Sequence, residues 1–60
     1  MDRLLTIDQL SAILQVKKAT IYSWTFTRKI PFVKIKGALR FKEQAISKWV
    51  DEQEEEAKRH

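Results

Sequence analysis

Thr6–Phe26 reads TIDQLSAILQVKKATIYSWTF, and this stretch decides the architecture. Thr6 followed by Gln9 is a T-x-x-Q capping box, in which side chain and backbone of the two residues satisfy each other at a helix start. Leu5 and Leu10 stand at the positions of a hydrophobic staple across that start. Ile7, Leu10, Ile13 and Leu14 then recur at helical spacing, which predicts a first helix of about two turns. Gln15 and Val16 break the pattern. A second helix is predicted over Lys18–Phe26, with Ile21 and Trp24 turned toward the core. At 100° per residue, Ala19, Tyr22, Ser23 and Phe26 point away from Ile21. Two short helices on a tight turn form a helix-turn-helix unit, a spacing shared with plain αα-hairpins.

Downstream, Thr27–Pro31 is polar and basic and ends at a helix breaker. Phe32–Phe41 (FVKIKGALRF) alternates with period two, which predicts a hairpin. Opposed residues of a hairpin point to one face. A two-residue loop at Lys36-Gly37 opposes Lys34 to Leu39, and one at Gly37-Ala38 opposes Ile35 to Arg40, so both mix faces. A three-residue loop, Lys36-Gly37-Ala38, pairs Ile35 with Leu39, Lys34 with Arg40 and Val33 with Phe41. That register alone keeps one face apolar and the other basic, and it is the one expected. It sets Lys34 against Arg40, a like-charge pair that an anion lying across the face would relieve.

A last helix is expected from about Glu43 into the high fifties. Ala45, Ile46, Trp49 and Val50 form its apolar face, and beyond Val50 only Ala57 is apolar. The fold class expected is α+β, mainly α: helix, turn, helix, two-stranded β wing and C-terminal helix. Residues 1–50 form the domain, and 51–60 form an acidic, fraying extension whose carboxylates serve solubility.

Composition narrows the function. Sixty residues hold one small domain with a thin core. There is no Cys, and the single His is the last residue, so neither a thiolate metal site nor a His-centred triad can be built. No nucleophile–base constellation exists and no cofactor is expected, so the chain reads as a binding module and not an enzyme. No apolar run approaches the ~18 residues of a membrane span, and the N-terminus has no apolar signal core. Residues 1–42 carry nine cations against two carboxylates, and residues 43–60 carry three against six. A basic body with an acidic tail suits a polyanion partner. RNA is disfavoured, because no exposed aromatic cluster interleaves with the basic residues.

The ordered set Leu4-Leu5-Thr6, Leu14–Trp24, Ile30-Pro31, Val33–Phe41 and Ala45–Val50 resembles the excisionase-type, MerR-like winged helix-turn-helix domains. The resemblance covers about residues 4–50. It implies binding of double-stranded DNA in the cytoplasm of a prokaryotic cell, by an excision factor, a phage or mobile-element regulator, or a terminase small subunit. Two positions depart from the family pattern: Gln15 where Gly is usual, and Lys17 where a capping Ser or similar residue is usual. Gln15 must then adopt whatever backbone the turn requires, and Lys17 is left to serve phosphates.

On this reading the second helix enters the major groove. Lys18 donates to a guanine edge or a phosphate, and Thr20, Tyr22 and Ser23 offer hydroxyls. The resemblance implies a phosphate contact for Tyr22. Ala19 permits close approach or contact with a thymine methyl. Arg28 and Lys29 flank the groove, and Lys34, Lys36 and Arg40 place the wing on the backbone or in the adjacent minor groove. Trp24 and Trp49 are expected in the core. Phe26 has two placements, under the wing or turned out to a partner. A different class of function is also open: a protein-interaction module docking a recombinase, or further copies of itself, through Phe26 and the acidic tail.

Overall fold

The computed structural model describes residues 1–58. Six elements follow in chain order: β1 (Leu4–Leu5), α1 (Ile7–Leu14), α2 (Lys18–Phe26), β2 (Val33–Ile35), β3 (Ala38–Lys42) and α3 (Glu43–Lys58). The expected fold class holds, with one addition. Leu4-Leu5 is a short strand that pairs with β3 on the side away from β2, so the wing is the outer part of a three-stranded antiparallel sheet ordered β1-β3-β2. Leu5 lies opposite Phe41, and both are fully buried.

The start of α1 forms as its sequence dictates. The Gln9 amide donates to Thr6 Oγ1 at 3.2 Å, and the Thr6 amide donates to Gln9 Oε1 at 2.9 Å. Leu5 and Leu10 on either side of this cap both enter the core. Gln15 closes α1 in the left-handed region, with φ 56° and ψ 44°. Ser11 braces the turn through a 2.6 Å hydrogen bond from its hydroxyl to the Val16 carbonyl. Lys17 then caps α2 with extended backbone and no side-chain acceptor.

The end of α2 is a Schellman motif: the Lys29 amide donates to the Trp24 carbonyl at 2.8 Å, and the Arg28 amide to the Thr25 carbonyl at 3.1 Å. The left-handed position of that motif, where Gly is the usual occupant, is held by Arg28 at φ 57°.

One buried residue or more comes from nearly every segment. Leu5, Leu10, Ile21, Ile30, Phe41 and Ile46 form the core, and Ile7, Leu14, Val16, Trp24, Phe32, Leu39 and Trp49 pack around it. Trp24 and Trp49 meet at 5.6 Å between ring centroids with a 54° tilt, a favourable aromatic geometry. The Trp49 indole N–H donates to the Lys29 carbonyl at 2.8 Å, which ties α3 to the end of α2. Ile13 and Val50, counted by spacing among the apolar faces, are instead exposed on α1 and α3. The N-terminal strand holds the start of α3, where the Glu43 amide donates to the Arg3 carbonyl and the Gln44 amide to the Asp2 carboxylate. A carboxylate at a helix N-terminus also complements the helix dipole.

The wing corrects the expected register. The loop has two residues, Lys36-Gly37, and the pairs are Val33 with Arg40, Lys34 with Leu39 and Ile35 with Ala38. Lys36 at φ 49° and Gly37 at φ 89° both occupy left-handed backbone, which is the signature of a type I′ turn. This turn matches the twist of the flanking strands, and that local geometry outweighs segregation of faces. Segregation has little hold at the tip because nothing covers it: Lys34, Ile35 and Lys36 are all exposed. The like-charge pair Lys34–Arg40 therefore does not form. Strand alternation sets Lys34 on the face shared with Leu39 and Phe41, and Arg40 on the other face with Val33. The repulsion that an anion was expected to relieve is absent.

Candidate nucleic-acid interface

The outward face of α2 and the wing stand on either side of an open groove of about 910 Å³. Helix α2 contributes Ala19, Tyr22, Ser23, Thr25 and Phe26. The wing contributes Phe32, Lys34, Gly37, Leu39 and Arg40, and the α1 start closes one end with Thr6, Ile7 and Asp8. The local chemistry explains the arrangement. The buried Ile21 anchors α2, so residues on its opposite face must project outward. Tyr22 is 53% exposed and Phe26 is 89% exposed. On the wing side, Lys34 lies directly across from Leu39 on one face, one pair in from the turn, and is exposed where Leu39 is half-buried. Arg40 borders the groove from the other face of the strand, and its guanidinium donates to the Leu39 carbonyl at 2.7 Å.

Of the ten residues nominated from sequence, Tyr22, Ser23, Lys34 and Arg40 meet in this groove. The others lie outside its lining. Lys17 caps α2, and Thr20 is half-buried on another face of that helix. Arg28 and Lys29 occupy the turn that ends α2, and Lys36 forms the wing tip beside Gly37. Lys18 is held at 2.7 Å by Asp8, itself a groove residue.

Among the described residues, ion pairs join Arg3 to Glu43, Lys18 to Asp8 and Lys58 to Glu54. Lys17, Arg28, Lys29, Lys34, Lys36 and Arg40 have no acidic partner among those residues, so six of the seven nominated cations are electrostatically uncommitted.

Asp8 is the residue that sequence reasoning missed. The sequence gives no local signal for it, because no spacing rule joins it to a lysine ten positions later. It raises the pKa of Lys18 above its usual value, first by accepting its hydrogen bond and then by its negative charge. The sign follows from linkage. A lysine with a raised folded pKa contributes stability below its unfolded pKa and loses that contribution as pH climbs through the folded value. Deprotonation of Lys18 therefore leaves the pair untouched across neutral pH and breaks it in alkali. Phe26 resolves to its outward placement and does not pack under the wing.

Residues 4–54 match the family model described as a helix-turn-helix domain. The chain belongs to that DNA-binding family. Among curated proteins and among solved structures, none matches it. The match spans β1, α1, the turn, α2, the hairpin and most of α3. Helix-turn-helix domains of this kind are typically not enzymes. Among the described residues, no helix is long and apolar enough to cross a membrane.

Proposed function

We propose that this helix-turn-helix domain acts as a small excisionase-like factor, directing recombination, or as a transcriptional regulator in a prokaryotic cell or its phage. Its body is residues 1–50. Helix α2 lies in the major groove, while the wing tracks the backbone or enters the neighbouring minor groove. The observation that carries this reading is the groove between α2 and the wing, flanked by cations with no internal partner. A phosphate ridge fits between two such walls: the helix occupies the groove on one side of the ridge and the hairpin reaches over the other.

In this arrangement Lys34, Lys36 and Arg40 neutralise phosphates from the wing. Lys17, Arg28 and Lys29 do so from the two ends of α2, and Tyr22, Ser23 and Thr20 add hydroxyl contacts. Lys18 serves as a base or phosphate donor only when Asp8 releases it. A recombinase, or further copies bound at adjacent sites, would meet the exposed acidic extension of α3, which is spared for that role by its repulsion from DNA.

A mobility shift on a random duplex across a salt series tests the proposal. Four to six phosphate contacts give a slope of log K against log salt of roughly −4 to −5. A slope near zero, or no retained duplex at low salt, overturns it.

A further inference from the structure

The sequence of α2, KATIYSWTF, contains no Arg, Asn, Gln, Asp or Glu. These are the side chains that read bases by paired hydrogen bonds in the major groove. The one cation on the helix, Lys18, is held by Asp8. What projects from the outward face is a stripe at helical spacing: Ala19, then Tyr22 and Ser23, then Phe26. Ala19 and Phe26 are its apolar ends, both exposed. Phe26 adds nothing to the core of a protein that has few residues to spend on one.

In the major groove a single base-edge feature is apolar, the C5-methyl of thymine. Resting on the DNA-binding reading above, we propose that Phe26 and Ala19 read thymine methyl groups, so that this domain selects its site by methyl contacts and not by forked hydrogen bonds to guanine or adenine. Seven residues of α-helix span about 10.5 Å, the length of about three base-pair steps, so the two contacts fall on thymines about three positions apart. Tyr22 and Ser23 lie between them, and their hydroxyls are suited to the phosphate or to either purine or pyrimidine edge.

The experiment uses the full chain. Duplexes are first selected from a random pool, and each thymine of the retained duplex is then replaced singly by deoxyuridine, which removes only the methyl. Dissociation constants are measured for the wild type and for Phe26→Ala, with melting curves as a check on the fold. The proposal expects two enriched thymines about three positions apart, the replacement of either weakening wild-type binding about fourfold, the worth of one buried methyl group. In Phe26→Ala one of the two thymines and its deoxyuridine replacement bind alike, and the melting temperature stays at its wild-type value. Tight binding to the thymine duplex with uridine tolerated at every position overturns the methyl reading while leaving DNA binding intact. A full uridine penalty that persists in Phe26→Ala at every sensitive thymine does the same, since only the thymine beneath Ala19 should keep its penalty in that variant. Failure to retain any duplex overturns both readings together.

Discussion

Replacing Arg28 by Gly separates the cost of a backbone from the use of a charge. Arg28 stands at φ 57° in the Schellman motif that ends α2. A left-handed residue with a Cβ costs roughly 1–2 kcal/mol relative to Gly. Gly returns about 0.4–1 kcal/mol of that through the greater freedom of its unfolded chain. The Arg28 side chain is exposed and makes no hydrogen bond among the described residues, so its removal takes no folded-state contact away. Arg28→Gly should therefore gain about 0.5–1 kcal/mol, the difference between those two effects. For a domain of this size that raises the melting temperature by about 4–8 °C. DNA affinity should move the other way, with the slope of log K against log salt shallower by about 0.9. Gln15→Gly is the control: its backbone stands at φ 56°, so it should gain similar stability and leave the slope unchanged. Thermal unfolding followed by circular dichroism, with salt-series binding, reads both effects. Two substitutions that both lower the melting temperature would refute the strain argument. An unchanged slope in Arg28→Gly would remove Arg28 from the interface.

Asp8→Asn should free Lys18 and delete the groove's carboxylate, tightening duplex binding and steepening the salt slope by about 0.9; a mobility shift at several salt concentrations checks it, and weaker binding would mean that Asp8 positions Lys18 for DNA. Arg40→Ala should weaken binding with little change in helicity or melting temperature, as measured by titration and circular dichroism. An equal loss of fold would assign Arg40 to holding the wing through the Leu39 carbonyl.

Local signals carried most of the fold. The Thr6–Gln9 box, the spacing of Leu10, Ile21 and Ile46, and the outward turn of Tyr22 depend on neighbours within a few residues, and all are legible before folding, whereas the sequence leaves Phe26 open between two placements. The strand at Leu4-Leu5 is not legible, because two residues have no period and their extended form comes from pairing with Phe41 and Lys42. The wing register departs from face segregation for a related reason. Sorting apolar from basic positions assumes that one face is covered, whereas the tip is bare and the turn geometry of Lys36-Gly37 decides. At the groove, residue type identified Tyr22, Ser23, Lys34 and Arg40. The Asp8–Lys18 pair joins two helices across a turn and becomes visible only when both are placed.

The observed register gives the wing a cation on each flank, Lys34 on one side of the ribbon and Arg40 on the other. A hairpin charged on a single side must lie flat on whatever attracts it. One charged on both sides behaves as a blade: edge-on in a narrow cleft, it meets the two opposing walls at once, and pulling it toward either wall draws it away from the other. Such a blade touches both walls only while Lys34 and Arg40 each reach across, so the length of those two side chains sets the width of cleft it can bridge.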